Sequence, residues 1–341
     1  MKIVFVIGTR AEVPKMYSCI KECEKRNIKY ILIHTWQHYD DNMFWNFLKE
    51  LNIKQPKYSL ERKSNDFTKL VADLASTLIY EKPNIVLVQW DTDSVLAWTL
   101  ASKIANCKVW HIEAWLRSFD MWMPEEKNRI VTDHLSNYHF CPTEESKENL
   151  LREFIVSSHM VVTWNTIVDC LLDMSKDVRY MWWQFIYMTM HRPSNVDNKE
   201  KWMSILEKIN KLDKRITFAC HPRTLNKLWL RYGRLMSNIN IIEPVWYIEN
   251  IKYMLWAEII ITDSWWIQEE SCILKKKCII LRDNTERPEA MEVWWSVFFK
   301  DIEENLIEWY NNLLNKKVKW YNPFWNGTAW KNIIDMIEYW K

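Results

Sequence analysis

Three carboxylate residues follow segments of the sequence that favour regular structure. Asp91 and Glu113 each come directly after a short apolar segment, and Glu125 follows Pro124 at the predicted start of a helix. If the apolar segments are parallel strands, their carboxyl ends meet at one edge of a sheet, so we expect the three carboxyl groups near one rim. Neighbouring carboxylates perturb one another's pKa values, as a general acid and a general base require. These residues therefore predict proton-transfer chemistry.

A second set of residues has the chemistry to bind an anion. Ser264, Trp265 and Trp266 follow an apolar segment and begin a predicted helix, whose first N–H groups attract phosphate. Arg10 follows the first apolar segment and Lys15 lies further along the next predicted helix, so both cations can neutralise a phosphate. These residues predict a phosphate-bearing ligand.

The elements that must position these residues alternate between short strands and amphipathic helices, as in parallel sheets. One of the helices is predicted at 198–212. We predict strands at 3–7, 30–34, 85–88, 109–112 and 138–141 in the first half, and at 185–189, 216–220, 239–242, 258–261 and 278–281 in the second. The sequence therefore predicts an α/β protein with two doubly wound units and a ligand cleft at the carboxyl ends of the strands.

Composition and charge narrow the class of protein. The chain has 341 residues, 48% of them hydrophobic, and its 46 basic residues nearly balance 44 acidic ones. This length allows two domains, and this charge balance does not favour binding to nucleic acid or to an anionic membrane. The eight cysteines contain no CxxC pair, and neither a signal-peptide pattern nor an apolar segment of membrane-spanning length is found. We expect a cytoplasmic protein without nucleic-acid, membrane or metal partners.

The tryptophan content is the most unusual property of the composition. The chain has 23 tryptophans and 3 glycines, whereas ordinary glycine usage of about 7% would give roughly 24 glycines in a chain of this length. Trp265 and Trp266 stand at a predicted helix start where anion binding favours glycine. In some lineages the codon UGA specifies glycine, and translation with another code writes tryptophan in its place. We therefore hypothesise that many of these tryptophans stand for glycine.

Short motifs occur in a fixed order from one end of the chain to the other. They are Gly8-Thr9-Arg10-Ala11-Glu12, Gln37-His38, Asp91-Thr92, His111-Ile112-Glu113-Ala114, Leu116-Arg117-Ser118, Pro124-Glu125-Glu126, Asn128-Arg129, Pro142-Thr143-Glu144, Asn165-Thr166, His191-Arg192-Pro193 and Thr285-Glu286-Arg287-Pro288-Glu289. In this order they resemble the non-hydrolysing UDP-N-acetylglucosamine 2-epimerases. Several motifs of that family contain glycine where this chain has Trp36, Trp90, Trp115, Trp164, Trp265, Trp266 and Trp325. The resemblance thus supports the codon hypothesis.

The resemblance implies a fold like that of the GT-B glycosyltransferases, with two Rossmann-like domains facing a cleft. The N-terminal domain is expected at 1–170, with a helix at 327–341 packing back on it, and the UDP-binding domain at 171–326. A homodimer and the absence of any redox or metal cofactor are also implied. In some bacterial relatives the UDP-sugar is an allosteric activator as well as the substrate, and the sequence does not decide whether this chain behaves in that way.

By resemblance, the acid and base residues are Asp91, Glu113, Glu125 and His191. They would eliminate UDP from UDP-N-acetylglucosamine (UDP-GlcNAc) to give an enzyme-bound glycal. UDP would then be added back with the opposite configuration at C2, giving UDP-N-acetylmannosamine (UDP-ManNAc) for surface polysaccharide synthesis. The residues expected to bind UDP or the sugar are Arg10, Lys15, Gln37, His38, Arg117, Arg192, Ser264, Trp265, Trp266, Glu270 and Arg287, with Glu270 placed to accept ribose hydroxyls.

Several alternatives stay open at the level of the sequence. Asp91 could cap a helix beginning near Ser94, and either Glu125 or Glu126 could be the catalytic residue. The substrate could be another UDP-2-acetamido sugar of the diacetamido-uronate type, and hydrolysing relatives share much of the motif set. If the tryptophans are real, indoles at 265 and 266 would fill the phosphate site and leave an inactive scaffold.

Overall fold

The computed structural model divides the chain into two compact units. It describes residues 1–9, 12–35, 41–60, 66–179, 181, 184–227, 233–283, 285, 290–291, 293, 296–315, 321–324 and 326–340. The N-terminal unit comprises Met1–Asp173 and Phe324–Lys341, and the C-terminal unit comprises Met174–Pro323.

The N-terminal unit contains a seven-stranded sheet in which all strands are parallel. Its strands are β1 (Lys2–Ile7), β2 (Lys29–His34), β3 (Tyr58–Ser59), β4 (Ile85–Gln89), β5 (Lys108–Ile112), β6 (Tyr138–Cys141) and β7 (Met160–Val162), in the order β3-β2-β1-β4-β5-β6-β7. Helices connect the strands and include α1 (Glu12–Lys25), α2 (Asp41–Glu50), α3 (Phe67–Glu81), α4 (Asp93–Ile104), α5 (Pro124–Leu135), α6 (Glu144–Arg152) and α7 (Thr166–Ser175).

The C-terminal unit repeats this architecture with one antiparallel edge strand. Its strands are β8 (Phe185–Thr189), β9 (Arg215–Ala219), β10 (Gly233–Arg234), β11 (Ile239–Ile242), β12 (Ile259–Thr262), β13 (Lys277–Ile280) and β14 (Ser296–Phe298), in the order β10-β11-β9-β8-β12-β13-β14. Only β10 pairs antiparallel, with β11. Its helices include α8 (Pro193–Val196), α9 (Lys199–Asn210), α10 (Pro222–Lys227), α11 (Tyr247–Trp256), α12 (Trp265–Ile273), α13 (Phe299–Ile302) and α14 (Leu306–Asn315).

A last helix, α15 (Ala329–Tyr339), belongs to the N-terminal unit. The carboxylate of Asp169 accepts hydrogen bonds from the first backbone N–H groups of α15, those of Ala329 and Trp330, at 3.3 Å each. Arg26, which directly follows α1, donates to Asp335 at 2.6 Å and to Glu338 at 2.9 Å. These contacts hold the C-terminal helix against α1. None of the helices within the described residues is long and apolar enough to span a membrane.

The predicted fold class, an α/β protein with two doubly wound sheets, is confirmed, and each predicted strand is found to within one residue at either end. The predicted helix at 198–212 is α9, and Asn198 is its N-cap. The strands β3, β7, β10 and β14 were not predicted from the sequence. They are the edge strands of the two sheets and contain two or three residues each. So few residues carry no detectable alternation of apolar and polar side chains.

The order of strands reverses once in each sheet, between β1 and β4 and between β8 and β12. Adjacent loops leave in opposite directions at such a switch point and open a crevice outside the carboxyl ends of the strands. The crevice is built on rigid strands, because β1, β4 and β12 are buried along almost their whole length. Each unit therefore has one position where its fold favours a ligand.

Candidate functional site

Asp91 lies at the switch point of the N-terminal unit, two residues after the end of β4. Its side chain is 4% exposed, and Arg129 of α5 donates to its Oδ2 through Nε at 2.8 Å and approaches it through Nη2 at 2.6 Å. Thr92, not Asp91, is the N-cap of α4 and accepts from the backbone N–H of Val95 at 3.3 Å. The capping alternative for Asp91 is therefore wrong, and its carboxylate is held by a cation instead.

Glu113 lies at the end of the neighbouring strand β5 and forms a buried ion pair with Lys15 of α1. The backbone of Glu113 has φ of 61°, in the left-handed region. Holding a glutamate there costs on the order of 1–3 kcal/mol, and such strain tends to persist at functional sites where the surroundings fix it. Lys15, which the sequence assigns to a phosphate, is paired with this carboxylate in the structure.

The two glutamates at the start of α5 have different environments. Glu126 is buried and accepts from Arg129 Nη1 at 2.8 Å, from the backbone N–H of Ser118 at 3.0 Å and from that of Phe119 at 3.2 Å. Glu125 is half-buried, and the part of the chain that the structure describes offers its carboxylate no hydrogen bond. The structure thus distinguishes Glu126, which binds the loop at Ser118 and Phe119, from Glu125, whose carboxylate accepts no hydrogen bond from the described residues.

A buried network supports the loop that carries Glu113. His111 Nδ1 lies 2.6 Å from Asp133 Oδ1, and Arg117 Nη2 donates to Asp133 Oδ2 at 3.0 Å. Burial alone would raise the pKa of Asp133. His111 and Arg117 oppose this effect through their charges and hydrogen bonds, and they hold that pKa below its usual value. The guanidinium of Arg117 also lies 3.4 Å from the ring centroid of Trp115. In this structure Arg117, a predicted ligand contact, is bound to protein groups on both sides of the loop.

Glu12, at the start of α1, is a buried acid beside Asp91. Its carboxylate accepts from the N–H of Gly8 at 2.7 Å and from the hydroxyls of Thr92 at 3.2 Å and Thr9 at 3.3 Å. Burial raises the pKa of Glu12 from 4.5 to about 7. The charge of Asp91 adds to this rise, and the hydrogen bonds oppose it. The residue joins the loop after β1 to the loop after β4.

Glu12 gives a prediction about stability and pH. Since its pKa is higher in the folded than in the unfolded state, its contribution to stability is fully present below pH 4.5 and is lost as the pH rises through about 7. Glutamine keeps the uncharged form at every pH. The quantity to compare is the free energy of unfolding of Glu12→Gln minus that of the unmodified chain. We expect this difference to rise by up to about 3 kcal/mol as the pH increases between those values.

Urea unfolding at pH 5.0 and at pH 7.5 measures this difference. Glu24, on the same helix, is the matched control, because hydrogen bonds from Tyr30 and Lys54 and the charge of Lys21 outweigh burial and lower its pKa. Its contribution is lost only as the pH falls below 4.5, so Glu24→Gln should show no change between the two pH values. A flat difference for Glu12→Gln would contradict the prediction.

His191 and Asp263 meet at the switch point of the C-terminal unit. His191 follows β8 and Asp263 follows β12. The fully buried carboxylate of Asp263 accepts from the backbone N–H groups of His191 and Arg192 at 3.0 and 2.9 Å and from Asn195 Nδ2 at 3.0 Å. His191 Nδ1 lies 3.2 Å from Asp263 Oδ1, while 46% of the His191 side chain is exposed. Asp263 therefore fixes the backbone and the ring of His191 and leaves part of the ring accessible.

Helix α12 begins at the same switch point. Ser264 is its N-cap, and the side chain of Ser264 makes no capping hydrogen bond. The first two helical residues are Trp265 and Trp266, and the Trp265 ring centroid lies 3.5 Å from the guanidinium carbon of Arg282. Glu270, one turn later, is buried and accepts from the hydroxyl of Tyr247 at 2.9 Å. The predicted phosphate and ribose contacts therefore share one helix.

The predicted residues that the structure describes divide between the two units. Lys15, Asp91, Glu113, Arg117 and Glu125 gather in the N-terminal unit, and His191, Arg192, Ser264 and Glu270 gather in the C-terminal unit. Arg10, Gln37, His38 and Arg287 lie outside the described residues. Sequence reasoning assigned no role to Glu12, Arg129, Asp133 or Asp263. A signal was available for Arg129, which lies three residues after Glu126 on the same helix, a spacing that brings the two side chains together.

Comparison with known proteins identifies the family. A model of the UDP-N-acetylglucosamine 2-epimerase family matches residues 21–338. The chain is 43% identical to a UDP-N-acetylglucosamine 2-epimerase of Methanocaldococcus jannaschii, with 100% of both chains covered. It is 31% identical to a UDP-2,3-diacetamido-2,3-dideoxy-D-glucuronate 2-epimerase of Pseudomonas aeruginosa, with 94% of each covered.

A crystal structure of Methanocaldococcus jannaschii UDP-GlcNAc 2-epimerase in complex with UDP-GlcNAc and UDP has the same fold. Its TM-score is 0.88 at 42% identity, over 99% of this chain and 100% of that chain. The similarity confirms the predicted GT-B-like α/β class. By its family model and its relatives, the chain belongs to the UDP-N-acetylglucosamine 2-epimerase family.

Proposed function

We propose that the protein interconverts UDP-GlcNAc and UDP-ManNAc and so acts as a non-hydrolysing sugar-nucleotide 2-epimerase. One observation carries the proposal. Two buried carboxylates, Asp91 and Glu113, stand at the ends of adjacent strands at a switch point, each paired with a cation. These pairs hold two carboxyl groups in fixed positions in a buried site, where groups that transfer protons to and from a substrate must be held. Family membership supports the same reaction.

The reaction is redox-neutral and proceeds in two halves. In the first, a carboxylate removes the proton from C2 of the sugar, the C1–O bond to UDP breaks, and a C1=C2 double bond forms. In the second, a proton is delivered to the opposite face of C2 and a phosphate oxygen of UDP reforms the bond to C1. The protein must therefore supply an acid, a base and charge stabilisation for the departing UDP.

The roles divide between the two units. Asp91, Glu113 and Glu125 are the proposed acid and base groups, and Arg129 and Lys15 form ion pairs with the first two. His191 is proposed to act at the departing UDP, with Asp263 as the residue that orients it. The proposed UDP-binding and sugar-binding groups are Arg10, Lys15, Gln37, His38, Arg117, Arg192, Ser264, the backbone at 265 and 266, Glu270 and Arg287.

The cellular setting is also part of the proposal. We infer a cytoplasmic homodimer that supplies UDP-ManNAc for surface polysaccharide synthesis, with a UDP-sugar as its small-molecule partner. Activation by a second UDP-sugar molecule is a regulatory property to be tested by the dependence of rate on substrate concentration. A sigmoidal dependence would support it, and a hyperbolic one would not.

A second substrate class has its own support. The Pseudomonas aeruginosa relative is named for UDP-2,3-diacetamido-2,3-dideoxy-D-glucuronate, whose sugar carries a carboxylate that UDP-GlcNAc lacks. The higher identity to the Methanocaldococcus jannaschii relative, 43% against 31%, favours UDP-GlcNAc. Both sugars undergo the same change at C2, so the active-site chemistry is the same for either substrate.

Proton exchange tests the function directly. Protein isolated from its source is incubated in D2O with UDP-GlcNAc and, separately, with the diacetamido-uronate substrate. We expect UDP-ManNAc with deuterium at C2, detected by NMR. Release of free sugar would identify a hydrolase, and absence of deuterium from C2 of both sugars would contradict the proposal.

Recombinant work uses a glycine form of the chain, defined as the variant with glycine at 36, 90, 115, 164, 265, 266 and 325.

The two glutamates of α5 give a prediction that separates catalysis from folding. In the glycine form, Glu125→Gln should lower kcat about 100-fold, because it removes an ionisable carboxylate and breaks no hydrogen bond with the described residues. Glu126→Gln should instead lower the midpoint of thermal unfolding by several degrees, because it weakens bonds to Arg129, Ser118 and Phe119. Steady-state rates and thermal scans measure both effects. The reverse pattern would show Glu126 to be the catalytic residue.

A further inference from the structure

Three tryptophans have a backbone conformation that tryptophan does not favour. Trp90, Trp115 and Trp164 have φ of 76°, 75° and 72°. In this left-handed region the side chain of an L residue crowds the following carbonyl oxygen, and a bulky residue there is an outlier. Asparagine, aspartate and glycine tolerate the conformation, and the chain uses Asn27 and Asn52 in this way elsewhere. The backbone at 90, 115 and 164 is therefore suited to glycine.

Hydrogen bonds fix the backbone at two of these positions, 90 and 164. The N–H of Trp90 donates to Ile112 at 3.4 Å, and the carbonyl of Trp90 lies 3.0 Å from His111 Nε2. The N–H of Trp164 donates to the carbonyl of Cys141 at 3.3 Å. Trp90 and Trp115 follow the buried strands β4 and β5, and a rotation of φ to negative values at Trp90 or Trp164 would break these bonds. Tight turns of this kind are where glycine is the default residue.

At position 115 the indole group gives independent support. Buried indole N–H groups usually find an acceptor. Within the described residues the buried Nε1 atoms without one are those of Trp98, Trp110, Trp115, Trp202, Trp266 and Trp330. Trp256 differs from them: its Nε1 donates to the carbonyl of Arg179 at 3.0 Å, and its φ is not positive. Some tryptophans therefore fit their surroundings, and others bury an unpaired donor.

We infer that residues 90, 115 and 164 are glycines in the protein that the source cell makes, whereas Trp256 is a true tryptophan. The first three arise from UGA codons that the source reads as glycine and another code reads as tryptophan. The shortage of glycine is explained by the same substitution, since 3 glycines accompany 23 tryptophans. This inference rests on backbone geometry and side-chain contacts, so it stands independently of the proposed function.

Peptide mass spectrometry of protein isolated from its source is the direct test. We expect peptides with glycine at 90, 115 and 164 and a peptide with tryptophan at 256. Tryptophan at 90, 115 and 164 would overturn the inference. The positions are read separately, so the outcome does not depend on whether the protein is active or on which sugar it uses.

Thermal unfolding of recombinant chains is the second test. The triple variant Trp90→Gly, Trp115→Gly and Trp164→Gly is compared with the printed sequence. We expect its unfolding midpoint to rise by about 5 °C or more, because glycine relieves the left-handed strain and removes an unpaired donor. The matched control, Trp256→Gly, should lower the midpoint, because it removes a paired indole from a helix end. A fall in the triple variant as large as in the control would mean that the indoles pack as true core side chains, and the inference would fail.

Discussion

In the glycine form, Asp91→Asn is expected to lower kcat for the interconversion of UDP-GlcNAc and UDP-ManNAc by about 1,000-fold. The side chain of Asp91 is 4% exposed and accepts from Arg129 Nε at 2.8 Å. Asparagine has nearly the same shape and keeps an acceptor for that bond, but it cannot take up or release a proton. The loss should therefore fall on the chemical step and leave substrate binding largely intact.

Exchange of the C2 proton in D2O, together with kcat and KM, measures the effect. Asp93→Asn is the matched control, because Asp93 lies two residues away and its carboxylate accepts only from Asn128 Nδ2 among the hydrogen bonds found, at 3.1 Å. We expect the control to retain the rate to within a few-fold. Arg129 keeps Glu126 as a partner at 2.8 Å in Asp91→Asn, so the fold should survive. A rate within tenfold of the unmodified glycine form would remove Asp91 from the catalytic set.

The positions of the candidate residues along the fold could be predicted from the sequence. Asp91, Glu113, His191 and Ser264 each follow an apolar segment, and the structure shows these segments to be β4, β5, β8 and β12. Parallel sheets bring the ends of such strands to one edge, so the spacing of apolar segments is enough to group the residues that follow them. The grouping within each unit follows from this rule alone.

The pairing of the charges could not be predicted in the same way. Lys15 and Glu113 are 98 residues apart, and Arg129 and Asp91 are 38 apart. Both pairs depend on how α1 and α5 pack against the sheet, and a local pattern does not contain that information. The pairing of Lys15 with Glu113 has no local sign in the sequence, because the two residues are distant from each other along the chain. The sequence identified the charged groups, and packing decided which of them neutralise each other.

The choice between neighbouring glutamates shows the same limit. Glu125 and Glu126 both follow Pro124, and both suit the positive end of a helix. Their partners distinguish them, because the backbone N–H groups of Ser118 and Phe119 and the guanidinium of Arg129 all donate to Glu126. A difference of one residue on a helix changes the facing direction by about 100°. Helix position therefore decides which carboxylate is occupied by the protein and which faces outward.

The tryptophans at the start of α12 lead to the second large effect. The first N–H groups of a helix have no partner within the helix and attract phosphate, and here the first hydrogen bond within the helix runs from the N–H of Gln268 to the carbonyl of Ser264 at 3.1 Å. Close approach of a phosphate to residues 265 and 266 requires that no side chain stand in the way. Indoles at both positions should obstruct that approach.

We therefore expect the glycine form to bind UDP at least about 100-fold more tightly than the same chain with Trp265 and Trp266 retained. Hydrogen bonds to a charged group contribute about 1.5–3 kcal/mol each, and the loss of two corresponds to this factor or more. Isothermal titration with UDP measures both dissociation constants.

Trp122→Gly is the control for removal of an indole as such. The side chain of Trp122 is 93% exposed, so its removal should leave the affinity for UDP unchanged. Equal affinities, within threefold, for the chains with and without Trp265 and Trp266 would show that UDP does not approach the first turn of α12. The proposed phosphate site would then have to lie elsewhere in the C-terminal unit.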